Sequence, residues 1–95
     1  MGGYVYMMSE RYRGGIYTGV TAQLAERVDQ HRNGKGSKFV AKYELHRLVY
    51  IEVFEDISNA IVREKRLKKW RRAWKIELIE GMNPEWRDLS GEIHF

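Results

Sequence analysis

The sequence predicts one α+β domain (an α/β mixture in the broad sense): a small three-stranded, mainly antiparallel sheet flanked by helices, in the order β-β-α-β-α-α. Three observations carry this. Two short stretches rich in aromatic and β-branched residues, 4–8 and 16–20, flank the turn chemistry of Tyr12-Arg13-Gly14-Gly15, so a hairpin is the natural reading. The run Leu48-Val49-Tyr50-Ile51-Glu52-Val53-Phe54 is almost continuously apolar, and it is followed by charged stretches of helical period. Ninety-five residues suffice for one core of this size, and residues 1–95 read as a single domain without repeat, linker or low-complexity tract.

Each element has a local reason. After the hairpin, Thr21 is placed to cap a helix that runs to about Arg32, with Asn33-Gly34 as its stop. Residues 33–37 form a glycine-rich polar loop containing Lys35, and Lys38 and Lys42 follow it. The apolar character of 48–54 predicts a central strand covered on both faces. Asp56 or Ser58 then starts a helix reaching about Arg71, and a last helix spans 73–80, ending at Gly81 with Pro84 barring continuation. The tail from Asn83 is irregular, and Trp86 and Leu89 are expected to pin it to the body.

Composition narrows the function classes. There is no cysteine, which excludes a disulfide framework, a thiolate zinc site and a cysteine nucleophile, and is compatible with a reducing, cytoplasmic setting. No stretch approaches the roughly 18 apolar residues of a membrane span, and Met1-Gly2-Gly3 runs straight into a strand-like segment, leaving no room for a signal peptide. Net charge is +4, but residues 63–75 hold eight of the 17 basic residues against one acid, Glu64, so that segment carries +7 and the rest of the chain −3. Concentrated positive charge is the footprint of a polyanion; a solvated helix face is the alternative.

Four kinds of side chain stand out within this frame. Glu64 shares a helix face with Ile57, Ala60, Ile61 and Leu67, which turns a carboxylate toward the core. It either binds a cation there or pairs with Lys68 one turn on; a single inward carboxylate suits Mg²⁺, which keeps several waters and takes phosphate oxygens. Arg27 and His31 fall at i and i+4 beside Leu24 and Val28, where a guanidinium can grip phosphate through two parallel bonds. Tyr6 and Tyr17 are ordinary strand residues by propensity, but a neighbouring cation would favour a phenolate and make one of them a base.

The ordered set resembles the GIY-YIG nuclease family over almost the whole chain. Its first motif is Tyr4-Val5-Tyr6, with Tyr4 where the family usually has glycine, and its second is Tyr17-Thr18-Gly19; the literal Gly15-Ile16-Tyr17 is not the first motif. Arg27 stands ten residues after Tyr17, as the family's arginine does, His31 matches its His or Tyr, and Glu64 matches its metal-binding glutamate. Leu48-Val49-Tyr50-x-Glu52 and Asn83-Pro84-x-Trp86-x-Asp88-Leu89 look like the small single-domain bacterial branch. The resemblance implies an endonuclease that hydrolyses phosphodiester bonds with Mg²⁺ or Mn²⁺. In that scheme Tyr6 is the general base, Tyr17 orients water or phosphate, Arg27 stabilises developing charge, His31 helps deprotonate Tyr6 or holds the phosphate, and Glu64 binds the one metal. Lys38 and Asn83 are candidates for phosphate contacts, and Lys65, Lys69 and Arg72 for the binding face. The partner is nucleic acid, DNA favoured over RNA, with no membrane and with target choice from structure or from a protein partner. Two rivals remain: a non-catalytic nucleic-acid-binding module on the same fold, and an interaction domain presenting Trp70, Trp74 and Trp86.

Overall fold

The structure is a computed structural model that describes residues 1–93. In chain order it contains β1 (Gly3–Ser9), β2 (Tyr17–Thr21), α1 (Leu24–Arg32), α2 (Lys38–Tyr43), β3 (Arg47–Phe54), α3 (Ile57–Lys68), α4 (Arg72–Met82) and a 3-10 turn, Leu89–Glu92. The three strands form one antiparallel sheet in the order β2-β1-β3.

The expected sheet and flanking helices are therefore present, with four corrections. The central strand is β1, not the apolar run of β3. Val5, Tyr6, Met7 and Met8 are all fully buried because alternate side chains enter two different cores. Val5 and Met7 pack with Ala60, Leu67, Ile79 and Trp86 under α3 and α4, whereas Tyr6 and Met8 pack with Leu24, Val28, Val40 and Leu45 under α1 and α2. β3 reads as doubly covered because helices cover its faces and the tail covers backbone groups: Asn83 Nδ2 donates to Val49 O at 3.1 Å, and Leu48 N donates to Asp88 Oδ1 at 3.2 Å. Its end is open, with Val53 72% exposed. A register shift opposite Met7 and Met8 makes Val49 an extra residue in β3, so that Leu48 joins one core while Val49 and Tyr50 join the other.

Second, α2 is a helix the sequence order lacked, inserted between α1 and β3. Third, Thr21 ends β2 and is buried; its Oγ1 accepts from Gln23 N at 3.0 Å and turns the chain into α1, which starts at Leu24. Fourth, α4 runs through Gly81 to Met82, since one interior glycine costs only about 1 kcal/mol, and it stops just before Pro84. Trp86 and Leu89 are buried as expected.

The β1–β2 turn is bolted to α4. Arg13, which sits at φ 52, forks onto Glu80 with two bonds of 2.8 Å, and Arg72 Nη2 donates to the carbonyls of Arg13 and Gly14 at 2.6 Å. The Trp86 indole donates to the same Glu80 at 2.8 Å. These bonds hold the Glu80 carboxyl at about 2, well below the ordinary 4.5, the Arg13 hydrogen bonds contributing most and the Trp86 bond next. A depressed folded pKa means that the unfolded chain takes up the proton first, so this stabilisation is complete above the ordinary carboxyl range and is lost as pH falls toward 2. Glu80→Gln is expected to lower the melting temperature at neutral pH and to flatten its decline through the acid range. Parallel melting curves for the two proteins would show the fork to be screened by solvent.

Candidate active site

The sheet register places Tyr6 directly across from Gly19, and Met8 across from Tyr17. On the same face the last turn of α1 delivers His31, whose Nε2 lies 2.7 Å from the Tyr6 hydroxyl in a fully buried contact. Tyr17 closes a triangle of rings, its centroid 6.2 Å from Tyr6 and 5.4 Å, edge-on, from His31. Two glycines make the triangle possible. A Cβ on Gly19 would stand 2.5 Å from the Tyr6 hydroxyl, and one on Gly36 would stand 2.5 Å from His31 Nδ1. Gly36 carried no signal in the sequence beyond a glycine in a polar loop.

Burial sets the charge state of the pair. It pushes the Tyr6 phenol well above its ordinary range, Tyr17 adds to this, and the Arg27 guanidinium pulls the other way without prevailing. Burial also lowers His31, and the charge of Arg27 lowers it further. The resting pair is thus a neutral phenol against a neutral imidazole, not the phenolate that a cationic histidine would favour. Either group can be the donor in this bond, according to which imidazole nitrogen carries the proton. His31 Nδ1 is buried and has no hydrogen-bond partner among the described residues. Arg27, half-buried one turn before His31, opens into a small depression that it lines with Thr21, Gln23 and Gln30.

The carboxylate comes from the opposite face of the sheet. Glu64 is buried on α3 between Ala60 and Leu67, as its stripe predicts, with 10% of its side chain exposed; its Oε2 meets Lys68 Nζ at 2.7 Å, which is the ion-pair alternative. The two faces meet at β2. Tyr17 and Thr18 are consecutive, hence they point to opposite faces, and both line a groove of about 330 Å³ together with Ile16, Phe39, Lys68 and Lys75. Lys68 thereby connects Glu64 to the groove that Tyr17 borders. Thr18 Oγ1 is buried without a hydrogen-bond partner among the described residues. A single inward carboxylate near a groove is a donor set that would suit Mg²⁺, which takes few protein ligands. No group of three or more His, Asp or Glu among the described residues would suit a zinc-like site.

Other expected site residues fall elsewhere. Asn83 is buried, its amide donating to Val49 O and Arg87 O while its Oδ1 accepts from Arg87 N at 3.0 Å; it ties down the tail and has nothing left for a phosphate. Arg72 is committed to the β1–β2 turn. Arg63 forks onto Glu52 at 2.9 and 3.1 Å and lies over Trp70, so two of the eight basic residues of segment 63–75 are structural. Lys65 is exposed on α3, Lys69 is exposed just past its end, and Lys38 is exposed in the first turn of α2. Trp86 is fully buried, which removes it from the imagined tryptophan surface. Among the described residues no helix is long and apolar enough to cross a membrane.

Residues 2–77 match the family described as the GIY-YIG catalytic domain. A UPF0213 protein of Syntrophus aciditrophicus is 36% identical over 83 residues, which is 86% of this chain and 93% of that protein. Another, of Clostridium perfringens, is 34% identical over 91 residues, covering 96% and 97%. Among solved structures, the solution NMR structure of a UPF0213 protein from Bacillus halodurans is similar with a TM-score of 0.58 and 30% identity, over 93% of each chain.

The close approach at Gly19 gives a direct test of the triangle. Gly19→Ala is expected to lose about 1–3 kcal/mol in urea denaturation, because the buried Tyr6 ring cannot retreat. Gly91→Ala, where a Cβ meets nothing within 4 Å, serves as control and should stay within about 0.5 kcal/mol of wild type. Equal stability of the two variants would mean that Tyr6 is not held over Gly19.

Proposed function

Because the chain belongs to the GIY-YIG family of nuclease-type domains, we propose that it is a Mg²⁺-dependent endonuclease acting on nucleic acid. DNA is favoured over RNA, and targets are chosen by structure rather than sequence. The observation that carries this reading is the groove at the edge of β2. There Tyr17, Thr18 and the Lys68–Glu64 pair converge beside the buried Tyr6–His31 pair.

The phosphodiester enters the groove against Lys68 and Lys75, which supply positive charge without reading bases. Tyr17, the phenol that borders the groove, orients the phosphate or the attacking water. Once substrate binding opens its fully buried hydroxyl to the groove, Tyr6 accepts the water's proton as its own proton passes to His31 Nε2, so the imidazole is the final acceptor and gains the charge. The water oxygen then bonds to phosphorus and the P–O bond opposite breaks. Arg27, which lines a neighbouring depression and not the groove itself, donates to the charge that develops by swinging its planar fork toward the phosphate. Glu64 would hold the divalent cation, with Lys68 exchanging from the carboxylate to the phosphate; when bound, such an ion neutralises a non-bridging oxygen and the leaving oxygen.

One observation favours the rival of a binding module without hydrolysis. The 2.7 Å contact with Lys68 already satisfies the Glu64 carboxylate without a metal. Cleavage of branched, flapped, single-stranded and duplex substrates across a magnesium titration separates the two readings. Wild type is expected to cut at least one substrate only when Mg²⁺ is present. Glu64→Gln should lose on the order of 100-fold or more in rate, the scale of removing one stabiliser of transition-state charge. Its affinity for nucleic acid should stay nearly intact, and its stability should fall by at most about 1 kcal/mol, since the lysine end of the pair is exposed. A wild type that binds and never cuts would establish the binding module. An equally active Glu64→Gln would remove Glu64 from the metal site.

A further inference from the structure

Next to the groove lies an aromatic strip that the proposed chemistry does not use. α2 turns Val40 into the core but presents Phe39 and Tyr43, one helical turn apart, at 47% and 51% exposure. Their ring centroids are 4.8 Å apart. Phe39 in turn lies nearly parallel to Tyr17, at 29° and 6.4 Å, so the strip runs from the groove outward as Tyr17, Phe39, Tyr43. Positive charge accompanies it. Lys42 Nζ sits 5.4 Å over the Tyr43 ring, Lys38 precedes Phe39, Lys35 lies on the loop leading into the helix, and Lys68 and Lys75 form the groove's other bank.

Two neighbouring rings left half in water are not core residues, and α2 carries no acid within its span. Flat apolar faces at stacking distance, interleaved with ammonium groups, match the two repeating features of a single strand: unpaired bases and a phosphate chain. A duplex offers the phosphates but keeps its base faces closed within the stack. We propose that α2 is a stacking platform for unpaired bases, seating a single-stranded segment on Phe39 and Tyr43 while its backbone passes into the groove. Resting on the nuclease reading of that groove, this names the substrate class: single strands, or the unpaired arms of flaps and junctions.

The test is equilibrium binding without divalent metal, so that it reads recognition whether or not the protein cuts. The probes are a short oligothymidylate carrying one fluorescent base analogue and a duplex of the same length. Wild type is expected to bind the single strand more tightly than the duplex and to quench the analogue by stacking. The double variant Phe39→Leu/Tyr43→Leu keeps apolar bulk but no π face. It should lose about tenfold or more in single-strand affinity and the quenching, with duplex affinity unchanged within about twofold. Phe39→Trp should retain both signals. Should the double variant unfold by circular dichroism, Tyr43→Leu alone, at the strip's outer end, is expected to show the same selective loss at smaller size. Unchanged single-strand affinity, an equal loss on duplex, or no quenching in wild type would overturn the platform even if the protein cuts. Quenching and selective loss in a protein that never cuts would uphold the platform and remove the nuclease reading.

Discussion

The hydrogen bond between the Tyr6 hydroxyl and His31 Nε2 is the constraint around which the domain is arranged. It joins the middle of the central strand to the last turn of α1, and both residues are fully buried. A buried polar pair must be satisfied within the protein, so the surroundings are shaped to it. Gly19 leaves room for the phenol, Gly36 packs on the imidazole, and Tyr17 lies edge-on to the same ring. The low-dielectric setting that makes the pair costly also keeps both partners neutral, and a neutral imidazole is what can receive a proton from Tyr6.

The functional elements lie on both faces of the sheet, and β2, an edge strand, is where they meet. Alternation along a strand sends Tyr17 and Thr18 in opposite directions, one toward His31 and one toward α3. An edge position gives both access to a shared groove. The basic charge divides in the same economical way. Arg63 and Arg72 brace the scaffold through Glu52 and the β1–β2 turn, while Lys65, Lys68 and Lys69 are exposed and Lys75 lines the groove with Lys68.

Much of this was legible in the residues. The hairpin, the inward face of α3 and the pinning of the tail by Trp86 follow from turn chemistry, period and apolar content. β3 was misplaced at the centre because a fully apolar run reports covered faces, not paired edges; here the cover came from helices and from Asn83 and Asp88 of the tail. α2 escaped notice since its six residues are too few to display a period, and with it went the Phe39–Tyr43 strip. Asn83 and Arg72 looked like phosphate ligands because residue type says nothing of commitments to backbone carbonyls across the fold. Glu64 is buried on its stripe and also paired with Lys68, since a carboxylate on the border of an apolar stripe can turn inward and still reach a lysine one turn on.

The central claim is that His31 is a neutral acceptor poised against a neutral Tyr6. Its most direct test is the tautomer and charge of His31, read by NMR from the imidazole nitrogen shifts and their long-range proton couplings at neutral pH. A neutral ring with its proton on Nδ1 and a bare, hydrogen-bonded Nε2 is the expected result, with the Nε2 shift moving toward that of a free ring when Tyr6 is changed to Phe. A ring protonated on Nε2, or a cationic ring at neutral pH, would contradict it, because His31 would then have no lone pair with which to draw the proton from Tyr6.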